Sequence, residues 1–200
     1  VEERDASAAE RAIREVNSGI YAFALGPLFA GLHGLATDNA QGEYYLTDLV
    51  AAYRQRQLKV ETMVLDTPDE LKGVNSRVDL SDLGRILRAR KNRAVQLEGV
   101  SLEDPDATYI EADVTIGADT VVGPGVMLEG RTSIGARCRI HAGARLTNAT
   151  LGDDVTILDR SIVIESTVAA GASVGPFAHI RPASVIGEHA RVGNFVELKK

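Results

Sequence analysis

Two cations near the end of the sequence, Arg181 in Ile180-Arg181-Pro182 and Lys199 within the run Gly193 to Lys200, are residue types that hold anions. Arg does so through paired donors and Lys as a point charge. Taken alone, each reads as a solvated surface charge. Asn17, before Ser18-Gly19, and Asn75, after Gly73-Val74, carry amides that both donate and accept. On local sequence both read first as turn residues. Glu2 offers a carboxylate acceptor, with an exposed acid as its local reading. His141, His179 and His189 invite an acid–base role but read as surface or corner residues. Cys138 is the single cysteine, so it forms neither an internal disulfide nor a Cys-based zinc site, which fits a reducing compartment.

The elements that must position these groups show first as a repeat. Aliphatic residues fall at Ile110, Ile116, Val122, Leu128, Ile134, Ile140, Leu146, Leu151, Ile157, Ile162, Val168, Val174, Ile180, Ile186, Val192 and Leu198. The interval is six, with steps of five at 146→151 and 157→162. Four residues after each of the first fifteen stands a small or β-branched residue, among them Thr120, Cys138, Thr150, Ser166 and Ala178, and Gly often follows the aliphatic residue directly. A six-residue unit suits one short strand plus a corner, with Gly relieving the backbone there. Three units make a coil, and coils stack as parallel strands about 4.8 Å apart. The expectation is a prism-shaped solenoid of about five coils over residues 110–198, with Cys138 filling a small inward position.

Before residue 100 the pattern is alternating α/β. The reading is a helix from Ser7 to Arg14 with Ser7 and Glu10 at capping-box spacing, and a strand from Gly19 to Leu25. Helices follow at Pro27–Leu35 and Tyr45–Arg56, then a strand at Lys59–Leu65 and a longer helix at Ser81–Leu97. Two or three strands cannot by themselves form a sheet covered on both faces, so this is the end of a larger sheet. In the long helix Leu83, Ile86, Leu87, Ala94 and Leu97 form an apolar stripe. Arg85, Arg88, Arg90, Lys91 and Arg93 then fall mostly on a solvated face of a connecting helix.

Composition narrows the classes. Of 200 residues, 44% are hydrophobic and 25% charged, as in a soluble globular protein. No Trp and nine aromatics make for a largely aliphatic core. No run reaches the length of about 18 apolar residues that a membrane span needs. The start, Val1-Glu2-Glu3-Arg4-Asp5, has neither Met nor a signal segment and reads as an internal starting point in a cytoplasmic protein. Twenty-two basic against 28 acidic residues give a charge of −6, which disfavours nucleic-acid and membrane-surface partners.

The run Asn39 to Asp48, then Gly73-Val-Asn75-Ser-Arg77, then a hexapeptide solenoid, resembles the bacterial bifunctional N-acetylglucosamine-1-phosphate uridyltransferase / glucosamine-1-phosphate N-acetyltransferase family. Val1-Glu2 and the segment Val16 to Ile20 match its sugar-binding stretches, and the resemblance covers essentially the whole chain. It implies an α/β nucleotidyltransferase-like partial domain, the end of a Rossmann-like mixed sheet, over residues 1–77. A linker helix at 78–98 and a left-handed parallel β-helix at 99–200 would follow.

By this resemblance Glu2, Asn17 and Asn75 bind the sugar nucleotide, with Asn75 also a Mg²⁺ contact, and Arg181 and Lys199 hold the phosphate of the acetyl acceptor. Implied co-substrates are acetyl-CoA and UTP. The implied assembly is a homotrimer through the β-helix, in the cytoplasm, serving UDP-N-acetylglucosamine synthesis for peptidoglycan and lipopolysaccharide. The family's Gly-rich nucleotide-binding start and metal-binding Asp would precede Val1, and its acetyl-CoA site and general base would follow Lys200. No catalytic group therefore falls within these residues, and the 200 residues alone are expected to be inactive. Two other readings stand beside this one: a single-function sugar-1-phosphate nucleotidyltransferase with a regulatory or assembly β-helix, and a non-catalytic β-helix scaffold.

Overall fold

The aliphatic column becomes the interior of a parallel β-solenoid. The structure is a computed structural model that describes residues 5–15 and 17–199. The chain divides into two compact units, Val1–Lys72 and Gly73–Lys200. In the second unit, strands of two or three residues stack into three parallel sheets, two of six strands and one of five. Each face contributes one inward column. Leu102, Val122, Ile140, Ile157, Val174 and Val192 line the first in register. Ile110, Leu128, Leu146, Val163, Ile180 and Leu198 line the second. Ile116, Ile134, Leu151, Val168 and Ile186 line the third.

Two positions depart from the expected register. Val163, fully buried, occupies the inward site assigned to Ile162, which is half-buried on the outer face. Ala149 is likewise inside in place of the exposed Thr150. Both lie beside corners that are one residue shorter than their neighbours, Leu146→Leu151 and Val163→Val168, each turned at a single left-handed residue, Asn148 (φ 50°) or Glu165 (φ 43°). Because side chains alternate with period two, a one-residue slip exchanges inside for outside.

The small inward residues have a second task, which is to satisfy corner backbone. Thr120 Oγ1 donates to the Gly135 carbonyl at 3.0 Å and accepts from the Cys138 N–H at 3.0 Å. Ser166 Oγ donates to the carbonyls of Ile164 (2.7 Å) and Arg181 (2.8 Å). Buried polar groups are stable only when paired in this way. Cys138 is buried in the same column, and burial pushes its thiol pKa up, in keeping with a packing role.

The long helix of this unit spans Arg77–Leu97 and is capped by Ser76, whose Oγ accepts from the Asp79 N–H at 3.1 Å. Its buried face is not the expected stripe, for Leu87 and Leu97 are exposed while Asn92 and Val95 are buried. Nor is its basic side simply solvated. Lys91 Nζ donates to the carbonyls of Ala112 and Val114, both at 2.8 Å, and the Arg88 guanidinium lies 4.5 Å from the centre of the Tyr109 ring. The carbonyls at the start of the solenoid need donors, and the helix supplies them.

Several glycines that follow the inward residues serve close approach rather than an unusual φ. A Cβ on Gly135 would lie 2.6 Å from the carbonyl carbon of Gly152 and 2.7 Å from the Asp153 nitrogen, backbone atoms of the next coil that cannot move aside. Gly135→Ala is expected to cost about 1–3 kcal/mol through overpacking. Gly84→Ala, in the helix with open space around it, should instead add about 1 kcal/mol through helix propensity. Urea unfolding of the two variants should shift in opposite directions, and shifts of the same sign would contradict the close-approach account.

The first unit holds helices at Leu25–Leu32 and Asp48–Gln55 that pack on each other, with Leu49 and Tyr53 as their buried centre. Ser7 and Glu10 make the expected capping box, Ser7 N–H donating to Glu10 Oε2 at 2.8 Å and Glu10 N–H to Ser7 Oγ at 3.3 Å, but only a short 3-10 turn, Glu10–Ala12, follows. The strands expected at Gly19–Leu25 and Lys59–Leu65 do not form. Among the described residues of this unit there is no strand at all. A strand exists only by pairing, and these segments find no partner ladder within the unit.

Candidate functional site

Alternation along the last strands brings two of the sequence-selected cations together. Ile180 and Leu198 pair in register and face inward, so Arg181 and Lys199, each one residue on, emerge on the outer face in successive coils. The Arg181 N–H donates to the Leu198 carbonyl at 3.1 Å, and its own carbonyl accepts from Ser166 Oγ (2.8 Å) and Ser184 Oγ (2.7 Å). Its backbone is thus fixed while the side chain stays in solvent.

Glu197 stands between the two cations. Arg181 Nη1 donates to Glu197 Oε1 at 3.3 Å, and Lys199 Nζ lies 3.4 Å from Oε2. Partial burial pushes the Glu197 carboxyl up, yet hydrogen bonding and charge from Lys199, followed by the charge of Arg181, outweigh it and hold the pKa below the ordinary carboxylate range. All three side chains are about half exposed, so the pairs are weak in stability terms. The cluster carries one net positive charge and can exchange its internal carboxylate for an incoming anion. Glu197 was not singled out from sequence, although period-two spacing from Lys199 and position beside Arg181 were there to find it.

The other selected residues stand apart. Asn17 is closed on its own turn, with Oδ1 accepting from the Gly19 N–H at 3.1 Å and Nδ2 donating to the Tyr21 hydroxyl. Asn75 is exposed just before the helix cap, and its backbone N–H donates to Asp79 Oδ2 at 3.2 Å. These two fall in different units, and Glu2 lies outside the described residues. Asn75 offers one neutral oxygen, but among the described residues no group of three His, Cys, Asp or Glu gathers into a metal site, so a Mg²⁺ site is not built from them. His141 is 3.8 Å from Asp159, and His189 occupies a left-handed corner at φ 56°, in line with corner and surface roles. No described helix is long and apolar enough to cross a membrane.

Comparison with known proteins adds the rest. A family described as the GMPPB C-terminal domain matches residues 106–200, just under half of the chain. The chain is 45% identical over 200 residues to the bifunctional protein GlmU of Pelobacter propionicus and 47% identical over 200 residues to that of Trichlorobacter lovleyi. In each case all of this chain and 44% of the relative are covered, so the chain spans less than half the length of these relatives. A perosamine N-acetyltransferase from Caulobacter crescentus, solved with CoA and GDP-perosamine, overlaps 57% of this chain and 61% of its own at 13% identity and a TM-score of 0.33, too little overlap to argue from. From its first residue to its last, the chain therefore matches a segment of the bifunctional GlmU proteins.

Proposed function

We propose that this chain is part of a bifunctional enzyme of UDP-N-acetylglucosamine biosynthesis, which acetylates glucosamine-1-phosphate with acetyl-CoA and transfers UMP from UTP to N-acetylglucosamine-1-phosphate. The observation that carries this reading is identity of 45% sustained over all 200 residues, across both units, to proteins named bifunctional. A solenoid alone would indicate fold and not function.

On this reading residues 1–77 complete a nucleotidyltransferase-like domain, 78–98 link it, and 99–200 begin a left-handed acetyltransferase β-helix. The first unit leaves Ile13, Ile20, Phe29, Met63 and Val64 exposed, which supports further chain covering them. Glu2, Asn17 and Asn75 contact the sugar nucleotide, and Asn75 would contribute one oxygen to a Mg²⁺ whose remaining ligands are not among the described residues. Arg181 and Lys199 hold the sugar phosphate, which displaces Glu197 from both. The protein would act as a cytoplasmic homotrimer serving peptidoglycan and lipopolysaccharide synthesis. Assay of the product of the complete coding sequence decides the matter. Both acetyl and uridyl transfer are expected. Uridyl transfer alone would replace this reading by a single-function nucleotidyltransferase, and absence of sugar-nucleotide binding would replace it by a scaffold.

A further inference from the structure

Filling the anion site proposed at Arg181 and Lys199 upsets a local charge balance. With both cations paired to Glu197, the cluster carries one net positive charge. A phosphate monoester brings about −1.5 to −2 at pH 7, which turns the cluster net negative. Glu197, displaced from both cations, then keeps its own negative charge beside that of the ligand. Adjacent like charges favour uptake of a proton nearby.

His179 is the group placed to take it. Its strand, His179–Ile180, pairs in register with Glu197–Leu198 of the next coil, His179 against Glu197. Ile180 is fully buried, so alternation puts the imidazole on the outer face with Arg181 and Glu197, at the strand spacing of about 4.8 Å. The side chain is half-buried and makes no hydrogen bond or ion pair among the described residues. The preceding coil packs Ile162 and Ile164 against this strand, and Arg145, one coil further back, is tied to Glu129. At the corner before His179, Phe177 stacks on Phe195, while one coil back Asp159 faces His141 and Arg160 turns the corner. Arg181 and Lys199 are its remaining charged neighbours, so Glu197 is the carboxylate in its register.

We propose that His179 is a positioning residue for the phosphate site, taking up a proton as the sugar phosphate binds and pairing with the Glu197 carboxylate that the ligand displaces. This rests on the reading of Arg181 and Lys199 as the residues that hold the phosphate. Histidine suits the task because its charge changes between pH 5 and 8. The imidazolium supplies the charge that the filled cluster lacks, and it keeps Glu197 from competing for the two cations. Proton uptake and anion binding favour each other reciprocally, so affinity rises as pH falls through this range and is lost as pH rises.

The test is calorimetry of glucosamine-1-phosphate binding to the product of the complete coding sequence between pH 6 and 8, in two buffers of different ionisation enthalpy, which counts the protons taken up. The ligand's own titration is common to every protein compared, so differences between proteins report the chain. From pH 8 to pH 6 the unchanged protein should gain about fivefold more affinity than His179→Gln, the upper end for an exposed ion pair. A coupling of that size corresponds to an excess uptake of roughly a third of a proton near neutral pH. Glu197→Gln should bind more tightly than the unchanged protein at pH 8, since no internal carboxylate competes, and should lose the excess uptake. Melting temperatures check folding in each variant. The proposal is overturned if His179→Gln keeps the proton uptake of the unchanged protein, or if Glu197→Gln keeps it, which would mean that His179 acts on the ligand directly. If Lys199→Ala weakens binding while His179→Gln alters nothing, the phosphate reading stands and the role of His179 falls. If Lys199→Ala leaves binding unaltered, both fall.

Discussion

At neutral pH the Val174→Asp protein is expected to melt far below the unchanged chain, having lost about 3–5 kcal/mol, the size of an uncompensated buried charge. Val174 is fully buried and stacked in register between Ile157 and Val192, so a carboxylate there has aliphatic neighbours above and below. Desolvation raises the folded-state pKa of such an Asp above its unfolded value of about 3.9. A group with a raised folded pKa favours the folded state below the unfolded pKa and loses that contribution as pH rises through the folded one. The deficit should therefore be smallest in acid and widen toward neutrality. Val174→Thr has nearly the same shape and one buried hydroxyl, and should cost about 1–3 kcal/mol with no such pH dependence. If Val174→Asp unfolds at the same temperature as the unchanged chain, the inward column is misassigned.

That column was legible because solenoid packing repeats one local rule, and each coil rests on the next in register. The slips at Ile162 and Thr150 arose where the rule changed locally. Counting from a shortened corner offered two aliphatic candidates, Ile162 and Val163, and only stacking on Leu146 and Ile180 selects the second. The strands expected at Gly19–Leu25 and Lys59–Leu65 have the right alternation, but a strand's stability lies in its partners, which local sequence cannot supply. The helix stripe failed for a related reason. Lys91 and Asn92 face the solenoid because unpaired carbonyls at Ala112, Val114, Pro105 and Thr108 await donors there, a demand visible only in three dimensions. Arg181 and Lys199 were found by motif, and alternation explains why they meet. Glu197 does not read as part of that cluster from sequence, because a carboxylate is not an anion-holding residue type and only the stacking of coils sets it between the two cations.

The two activities proposed for the complete protein should separate under two substitutions, one in each candidate site. On the proposed reading Asn75→Ala removes a contact to the sugar nucleotide and its metal, and loss of an interaction with developing charge should lower uridyl transfer by about 10²-fold. Folding should be spared, because residue 75 helps to cap the helix through its backbone N–H to Asp79, which alanine retains, while Ser76 supplies the capping side chain. Lys199→Ala deletes one of the two cations around Glu197. Arg181 remains paired with that carboxylate, so little stability is lost from so exposed a cluster. Phosphate holding by Arg181 alone should raise the KM for glucosamine-1-phosphate by about tenfold, as expected for one charge-assisted hydrogen bond. Each variant should keep the other activity near normal when both reactions are assayed in saturating Mg²⁺ with melting temperatures checked. Equal damage to both activities by either substitution, in a protein that melts normally, would mean that Asn75 and Lys199 do not serve separate pockets.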